Sequence, residues 1–343
     1  MILILEQTAS IEAIENLRQR LKFMGFDSTI EITSNHKAIA LISGIDEQTQ
    51  SELFSTLPLV EKVELFQDRF KLVSYGLKRE KSIIEIKDIK IGGENFTVMA
   101  GPCTIESEAQ IFAIAEAVSA QGASILRGGA FKPRTSPYDF QGLGAKGLQF
   151  MRKAADQYSL LCISELMSAE ELPLLEQYVD IIQIGSRNMQ NFSLLKALGK
   201  AKKPILLKRG LSATYKEFLS AAEYIISSGN HQVILCERGI RTFETYTRNT
   251  LDIAAVPILR ELTHLPIIID PSHGVGLRNM VAPMANAALA VGADGLIVEV
   301  HTNPDQSISD AQQTICPLTF KNMMTTLREI GAAVGKQVSS GYE

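Results

Sequence analysis

The chain has 343 residues, 34 of them basic and 38 acidic, for a net charge of −4 with the histidines neutral. That balance argues against nucleic acid and anionic membrane as partners, and no apolar stretch approaches the roughly 18 residues of a membrane-spanning helix. An apolar content of 45% is enough for a large core, and four cysteines in so long a chain suit a reducing cytoplasm rather than a disulfide framework.

In chain order, MILILEQ opens with five apolar residues and no basic leader, so it reads as a strand and not as a signal peptide. IEAIENLRQRLKFMG places Ile11, Ile14, Leu17 and Leu21 on one helical stripe. DSTIEIT and KAIALIS read as strands around the turn SNHK, EQTQSELFSTL as a second helix and LVEKVELF as a fourth strand. The order βαββαβ predicts a small ferredoxin-like α+β domain over residues 1–66. It carries no nucleophile or metal-ligand cluster, so a regulatory or assembly role is expected. A polar linker is expected at 67–82, with the catalytic domain over 83–343. IIEIKDIKIGGENFTVM predicts a hairpin across GGEN that plugs the floor of that domain.

Eight short apolar runs follow, each with a polar side chain at or near its end. They are TVMAGPC with Cys103, SILRGG with Arg127, LCISE with Glu165 and DIIQIGSR with Arg187. PILLKRG with Lys208, QVILCER with Arg238, PIIIDPSH with His273 and GLIVEV with Glu299 complete the set. Runs this apolar suit strands buried on both faces, and their regular alternation with helix-length stretches predicts a parallel (β/α)8 TIM barrel. Catalytic groups in that fold gather at the strand C-termini. Ser107 with Gln110 and Ser168 with Glu171 predict capping boxes, and a last helix is expected from Pro317 to Gly335 before a frayed tail.

The spacing of the runs brings chemistry together. Cys103, His273 and Glu299 fall on the first, seventh and eighth strands, which neighbour one another once the barrel closes, and Asp310 follows in the next loop. A thiolate, an imidazole and carboxylates suit one divalent transition metal, Mn, Fe, Co or Zn, better than Mg or Ca. Such a metal polarises a carbonyl as a Lewis acid. Arg127, Lys132, Arg134, Arg187, Lys208 and Arg238 converge on the same mouth, and six cations there require anions, best supplied by two phosphate-bearing substrates.

Gly142, Gly144 and Gly147 match a dinucleotide-binding spacing but follow a polar loop instead of a strand, so they read as a loop entering a helix. Cys162 and Cys236 are expected to be inert core thiols, and His36, His231 and His264 surface residues. His301, two residues past Glu299, is expected either to line the mouth or to help orient a ligand, and no role is assigned to Cys316.

RGGAFKPRTSPYDFQGLG at 127–144, with AGPC at 100–103, LLKRG at 206–210, DPSHG at 270–274 and VEVH at 298–301, resembles the 3-deoxy-D-arabino-heptulosonate 7-phosphate (DAHP) synthases. The resemblance spans about residues 83–335, and the N-terminal domain is similar to the regulatory extension of some members. It implies condensation of phosphoenolpyruvate with erythrose 4-phosphate, the first step of the shikimate pathway to the aromatic amino acids. It assigns Cys103, His273, Glu299 and Asp310 to the metal, and Arg127, Lys132, Arg187, Lys208 and Arg238 to phosphoenolpyruvate. Pro133, Arg134, Thr135 and Ser136 are assigned to erythrose 4-phosphate, and Lys132, Glu165 and His273 to catalysis. It further implies feedback inhibition by tyrosine or phenylalanine at the N-terminal domain and a homo-oligomer, as a tetramer, and leaves room for chorismate mutase as a separate partner. HTNPDQSISD at 301–310 departs from the usual HPNPxxALSD, with Asp310 still in place. The alternative, an octulosonate 8-phosphate synthase, fits less well because KPRTSP stands where an ANRSS-type segment would. A silent metabolite-binding barrel would have lost a ligand or Lys132, and none is lost.

Overall fold

Residues 1–32, 37–41, 47–64, 70–132, 138 and 140–340 are described by a computed structural model, with nothing stated for the side chains of 47–50. The chain divides into two compact units, Met1–Lys81 with Arg260–His264, and Ser82–Leu259 with Leu265–Glu343.

The first unit is a four-stranded antiparallel sheet with two helices. Its elements run β1 (Ile2–Leu5), α1 (Ile11–Phe23), β2 (Ser28–Ile32), β3 (Lys37–Leu41), α2 (Glu47–Ser55) and β4 (Val60–Glu64). The sheet order β2-β3-β1-β4 places the two strands adjacent in sequence, β2 and β3, at one side and seats β1 in the centre. That is the ferredoxin-like arrangement expected. Ser10 caps α1 by accepting from the Ala13 amide at 3.2 Å, satisfying one orphan donor of the first turn. Ile14, Leu17 and Leu21 pack with Leu3, Leu5, Ile39 and Phe54 in the unit's core. Ile11, expected on the same stripe, is 72% exposed because it sits at the helix start, outside the reach of the sheet. His264 is buried with its Nε2 2.8 Å from the Leu72 carbonyl, so it is not the surface residue expected.

The second unit opens with a hairpin of β5 (Ile84–Ile86) and β6 (Ile89–Ile91). The turn falls at Lys87–Asp88, with Lys87 at φ 55°, and GGEN instead links the hairpin to the next strand. The expected position was wrong because the two isoleucine pairs, Ile84/Ile86 and Ile89/Ile91, pair with each other and leave no residues for a longer arm. Ile84 and Ile91 pack against the inward residues Met99, Ile125, Ile163, Leu206, Ile234 and Ile297, sealing the interior from one end.

Eight parallel strands follow: β7 (Asn95–Gly101), β8 (Ile125–Arg127), β9 (Leu161–Glu165), β10 (Ile181–Ile184), β11 (Ile205–Lys208), β12 (Val233–Glu237), β13 (Ile267–Ile269) and β14 (Gly295–Glu299). Each pairs with the next, and β14 pairs back on β7, so the sheet closes without an edge. Closure needs glycine at 295: a Cβ there would lie 2.1 Å from the Thr97 carbonyl oxygen across the seam. Helices separate the strands: α3 (Glu108–Ser119), α4 (Ala145–Gln157), α5 (Leu172–Tyr178), α6 (Phe192–Leu198), α7 (Tyr215–Ser227), α8 (Ala255–Leu262), the short α9 (Pro271–Val275), α10 (Arg278–Ala290) and α11 (Pro317–Val334). A short β15 (Gln337–Val338) adds to β7, so the tail is ordered at least this far, and 341–343 lie outside the described residues.

Of the two expected capping boxes, Ser107 does accept from the Gln110 amide at 3.1 Å, while the Gln110 side chain accepts from Glu106 rather than from Ser107. Ser168 makes no cap bond, its hydroxyl meeting the Glu170 carboxylate, and the Glu171 side chain accepts from the Met167 amide at 3.1 Å. The full reciprocal box is at Thr214 and Glu217, ahead of α7. Gly144 is the N-cap of α4, which confirms the glycine-rich stretch as a loop entering a helix.

Candidate functional site

The C-terminal strand ends surround a cavity of about 270 Å³. Cys103 lies two residues past β7, Arg127 ends β8, Glu165 ends β9, Lys208 ends β11, Arg238 follows β12 and Glu299 ends β14. All except Glu299 line the cavity, together with Lys132, Arg187, His273 and Asp310. His273 departs from the expectation of a strand end. β13 stops at Ile269, and His273 sits in the single turn of α9, where Pro271 at the first position starts a helix readily. Pro133, Arg134, Thr135 and Ser136, and also His36, lie outside the described residues.

Four potential metal donors meet on one side of the cavity. Ligand atoms of Cys103, Glu299 and Asp310 all fall within 4.8 Å of one another. The Cys103 sulfur is 3.4 Å from Asp310 Oδ2, and His273 Nε2 lies 3.4 Å from Glu299 Oε1 and 3.7 Å from Asp310 Oδ2. Asp310 reaches this position from a left-handed backbone, φ 52°, which aspartate tolerates better than most residues.

The groups around these donors fix them. Asp270, buried in the α9 N-cap, accepts from the His273 amide at 2.9 Å and from its Nδ1 at 2.8 Å. The Nδ1 proton therefore points at the carboxylate, which leaves Nε2, facing Glu299 and Asp310, as the atom a metal would take, the orientation a metal-binding imidazole needs. Asp270 also pairs with Lys208. One oxygen of Glu299 accepts from Arg127 at 2.9 Å and the other from Gln313 at 2.7 Å. Arg248 bonds the Gln313 side-chain oxygen at 2.8 Å and Asp310 at 3.3 Å, tying the two carboxylates into one network. Lys132 Nζ bonds the Cys103 carbonyl and lies 3.2 Å from its sulfur.

Burial alone would raise the Glu299 carboxyl, but His273, Arg127 and Lys132 outweigh it and hold the group down at about 2. Asp270 is likewise held well below the carboxylate range by His273 and Lys208 against its burial. Burial, reinforced by Glu299, pushes the Cys103 thiol up to about 11. Without a cation the sulfur keeps its proton beside two carboxylates; a divalent cation would displace it. The donor set of sulfur, imidazole nitrogen and two carboxylates thus fits a transition metal.

Arg127, Lys132 and Lys208 thus border the donors, while Arg187 and Arg238 line the same cavity. Arg238 is buried, and its Nη1 has no hydrogen-bond partner among the described residues. A buried guanidinium left unpaired in this way is suited to an incoming anion. Glu165 lies beneath, held by Gln183 at 3.1 Å, and fits only because 185 is glycine: a Cβ there would sit 2.0 Å from Glu165 Oε1. Of the residues not singled out from sequence, Asp270, Gln313 and Arg248 matter most. The Asp270–His273 spacing of three, one helical turn, was the signal for the first; nothing local marks the other two. Cys162 and Cys236 are buried, with burial pushing Cys162 up to about 12 and Cys236 higher, as expected of inert core thiols. His301 is buried against Glu106, with 3.6 Å between Nε2 and Oε2. His231 is exposed.

Fold and site together define a (β/α)8 protein whose strand C-termini carry a donor set that fits a transition metal beside a cluster of cations. The profile of the DAHP synthetase I family matches residues 77–335, and the chain belongs to that family. It is 45% identical over 339 residues to a phospho-2-dehydro-3-deoxyheptonate aldolase of Thermotoga maritima, covering 99% of this chain and 100% of the relative. A crystal structure of a Thermotoga maritima DAHP synthase superposes with a TM-score of 0.79 at 44% identity, over 98% of this chain and 99% of that one. A 2-dehydro-3-deoxyphosphooctonate aldolase of Koribacter versatilis is more distant, 30% identical over 75% of this chain and 98% of its own length.

Proposed function

We propose that this protein is a metal-dependent DAHP synthase (3-deoxy-7-phosphoheptulonate synthase, EC 2.5.1.54), which condenses phosphoenolpyruvate with erythrose 4-phosphate and water to give DAHP and phosphate. The observation that carries this reading is the meeting of the four donors with the cation cluster at one barrel mouth, in a chain 45% identical to the Thermotoga maritima aldolase. Cys103, His273, Glu299 and Asp310 would hold one divalent metal, Mn, Fe, Co or Zn, which supplies Lewis-acid polarisation of the sugar aldehyde.

The remaining steps belong to the chain's own residues. Arg127, Lys132, Arg187, Lys208 and Arg238 bind phosphoenolpyruvate, their forks and point charges matching its phosphate and carboxylate oxygens. Pro133, Arg134, Thr135 and Ser136 receive erythrose 4-phosphate. C3 of the enol attacks the aldehyde carbon, whose oxygen takes a proton, and positive character develops at C2. Water adds at C2, and the resulting hemiketal expels phosphate by C–O cleavage, leaving the ketone. Lys132 and Glu165 are the groups proposed for proton transfer, and His273 keeps its role through its fixed Nε2. The cations hold both anions in reacting geometry and stabilise developing negative charge, usually the dominant catalytic contributions.

The ferredoxin-like unit we assign to feedback inhibition by tyrosine or phenylalanine, with a homotetramer as the working assembly and chorismate mutase as a candidate separate partner. Its fold, free of any donor cluster among the described residues, supports a regulatory rather than a chemical role. The cytoplasm is the expected location, and no described helix is long and apolar enough to cross a membrane.

The test follows phosphoenolpyruvate consumption by the purified protein with erythrose 4-phosphate or arabinose 5-phosphate, before and after EDTA. Loss with the four-carbon sugar alone, abolished by EDTA and restored by Mn2+, is expected. Consumption with arabinose 5-phosphate alone would move the assignment to the octulosonate synthase, and none with either sugar would refute the enzymatic reading.

A further inference from the structure

We infer that Arg209 is a positioning residue for the anion cradle, fixing Lys208 and Arg238 relative to each other through Glu237 and Asp252. This rests on the reading that those two cations bind the phosphate-bearing substrate.

The alternation of the strand ends creates the arrangement. Lys208, the last residue of β11, and Arg238, the first after β12, line the cavity. Their chain neighbours Arg209 and Glu237 do not line it and are buried behind it, 4% and 0% exposed. There Arg209 Nη1 donates to Glu237 Oε2 and to Asp252 Oδ2, both at 2.8 Å. Its Nε donates to the Ala213 carbonyl at 2.9 Å, and its plane stacks over the Tyr215 ring at 4.5 Å. Tyr215 donates its hydroxyl to Asp252 at 2.6 Å, while Glu237 accepts from the Gly239 amide at 2.5 Å.

One guanidinium therefore joins three segments: the turn after β11, the end of β12 leading into its turn, and the chain at Asp252. Those same segments carry Leu211, Arg241 and Asn249 of the cavity wall, and the Arg241 amide bonds the Leu211 carbonyl at 2.7 Å. Arg238 has no ion pair within 4 Å among the described residues and its Nη1 has no hydrogen-bond partner, so no direct bond at Nη1 sets its position. The backbone on either side of it must do so, and Glu237 and Gly239 are both held by this network. Stability alone is a poor explanation for burying Arg209 and Glu237 beside a half-buried Asp252, because apolar packing serves that end as well or better. What the ions add is direction, which a site for a doubly charged ligand requires.

The test compares wild type with Arg209→Lys, which loses the Nε bond to the Ala213 carbonyl and the guanidinium over the Tyr215 ring that together aim Nη1 at the two carboxylates, and with Asp252→Asn. Three quantities are read: KM for phosphoenolpyruvate against kcat, Kd for inorganic phosphate, and Kd for Mn2+. Expected are KM and phosphate Kd raised about tenfold in Arg209→Lys and in the same direction in Asp252→Asn, with kcat within about twofold and Mn2+ affinity unchanged, the signature of lost substrate binding. Both variants with wild-type KM and phosphate Kd, only their Tm lowered, would overturn the inference and leave a structural ion cluster. Should Arg209→Lys fail to fold, Asp252→Asn decides by the same readings. A wild type that consumes no phosphoenolpyruvate would refute the proposed reaction, while the phosphate Kd of the variants would still decide the role of Arg209.

Discussion

Asp270→Asn is the substitution that probes the site most directly. The wild-type carboxylate is 1% exposed and receives bonds from the His273 amide, from His273 Nδ1 and from Lys208. Asparagine keeps the size, loses the charge, and can satisfy at most part of this set with its single oxygen. Lys208, nearly as buried, is left with no counter-charge at this contact. Breaking a buried pair from one side costs about 3–5 kcal/mol, which for a chain of this size lowers Tm by about 4–7 °C. Separately, losing the carboxylate that orients a metal-binding imidazole weakens metal affinity about 10–100-fold. Urea unfolding of the metal-free protein measures the first effect and Mn2+ competition against a chelator the second. The sign of the pH effect follows from the depressed wild-type pKa. Asp270 stabilises the fold above the unfolded value of about 3.9, and that contribution is lost only as pH falls towards its much lower folded value. At neutral pH the variant should therefore show its full deficit. A variant with unchanged stability and unchanged Mn2+ affinity would refute the claim that Asp270 orients His273 and neutralises Lys208.

Other predictions concern the same mouth and the first unit. With the Cys103 thiol pushed up to about 11, metal must displace its proton, so Mn2+ affinity should rise about tenfold per pH unit between pH 6 and 9. Cys103→Ser should remove most turnover and flatten that slope while the circular dichroism spectrum is kept; full turnover would show that the sulfur is no ligand. Gly185→Ala should push the Glu165 carboxylate from its place and lower kcat by about 10–100-fold with a small change in Tm, the chain yielding at a side-chain tip rather than at backbone. Deleting residues 1–66 should leave activity and abolish inhibition by tyrosine or phenylalanine, and unchanged inhibition would remove the regulatory assignment.

Much of this molecule could be read along the chain because its signals are local. A buried parallel strand must be apolar over its whole short length, and the barrel topology turns the residue after each run into a member of the mouth. Cys103, Arg127, Glu165, Lys208, Arg238 and Glu299 were visible for that reason. The βαββαβ order of the first unit was legible from periodicity alone, since each element buries one face. Local reading failed where two patterns competed for the same residues. The hairpin turn settled at Lys87–Asp88 rather than at GGEN because pairing of Ile84 with Ile91 decides it. At Ser168 the expected box did not form, the hydroxyl meeting Glu170 and the Glu171 side chain the Met167 amide.

The tertiary structure alone decided which polar side chains restrain the donors and cations. Gln313 reaches Glu299 across 14 positions, Arg248 reaches Asp310 across 62, and Arg209 joins Glu237 and Asp252 across 28 and 43. No periodicity encodes such pairs, because each forms only after separate loops have been carried to the same end of a closed barrel. The sequence determined which side chains would gather at the mouth, since strand direction and order are local properties summed along the chain. Their orientation and charge state were determined by burial and by partners distant in sequence, which exist only once the sheet has closed between β14 and β7.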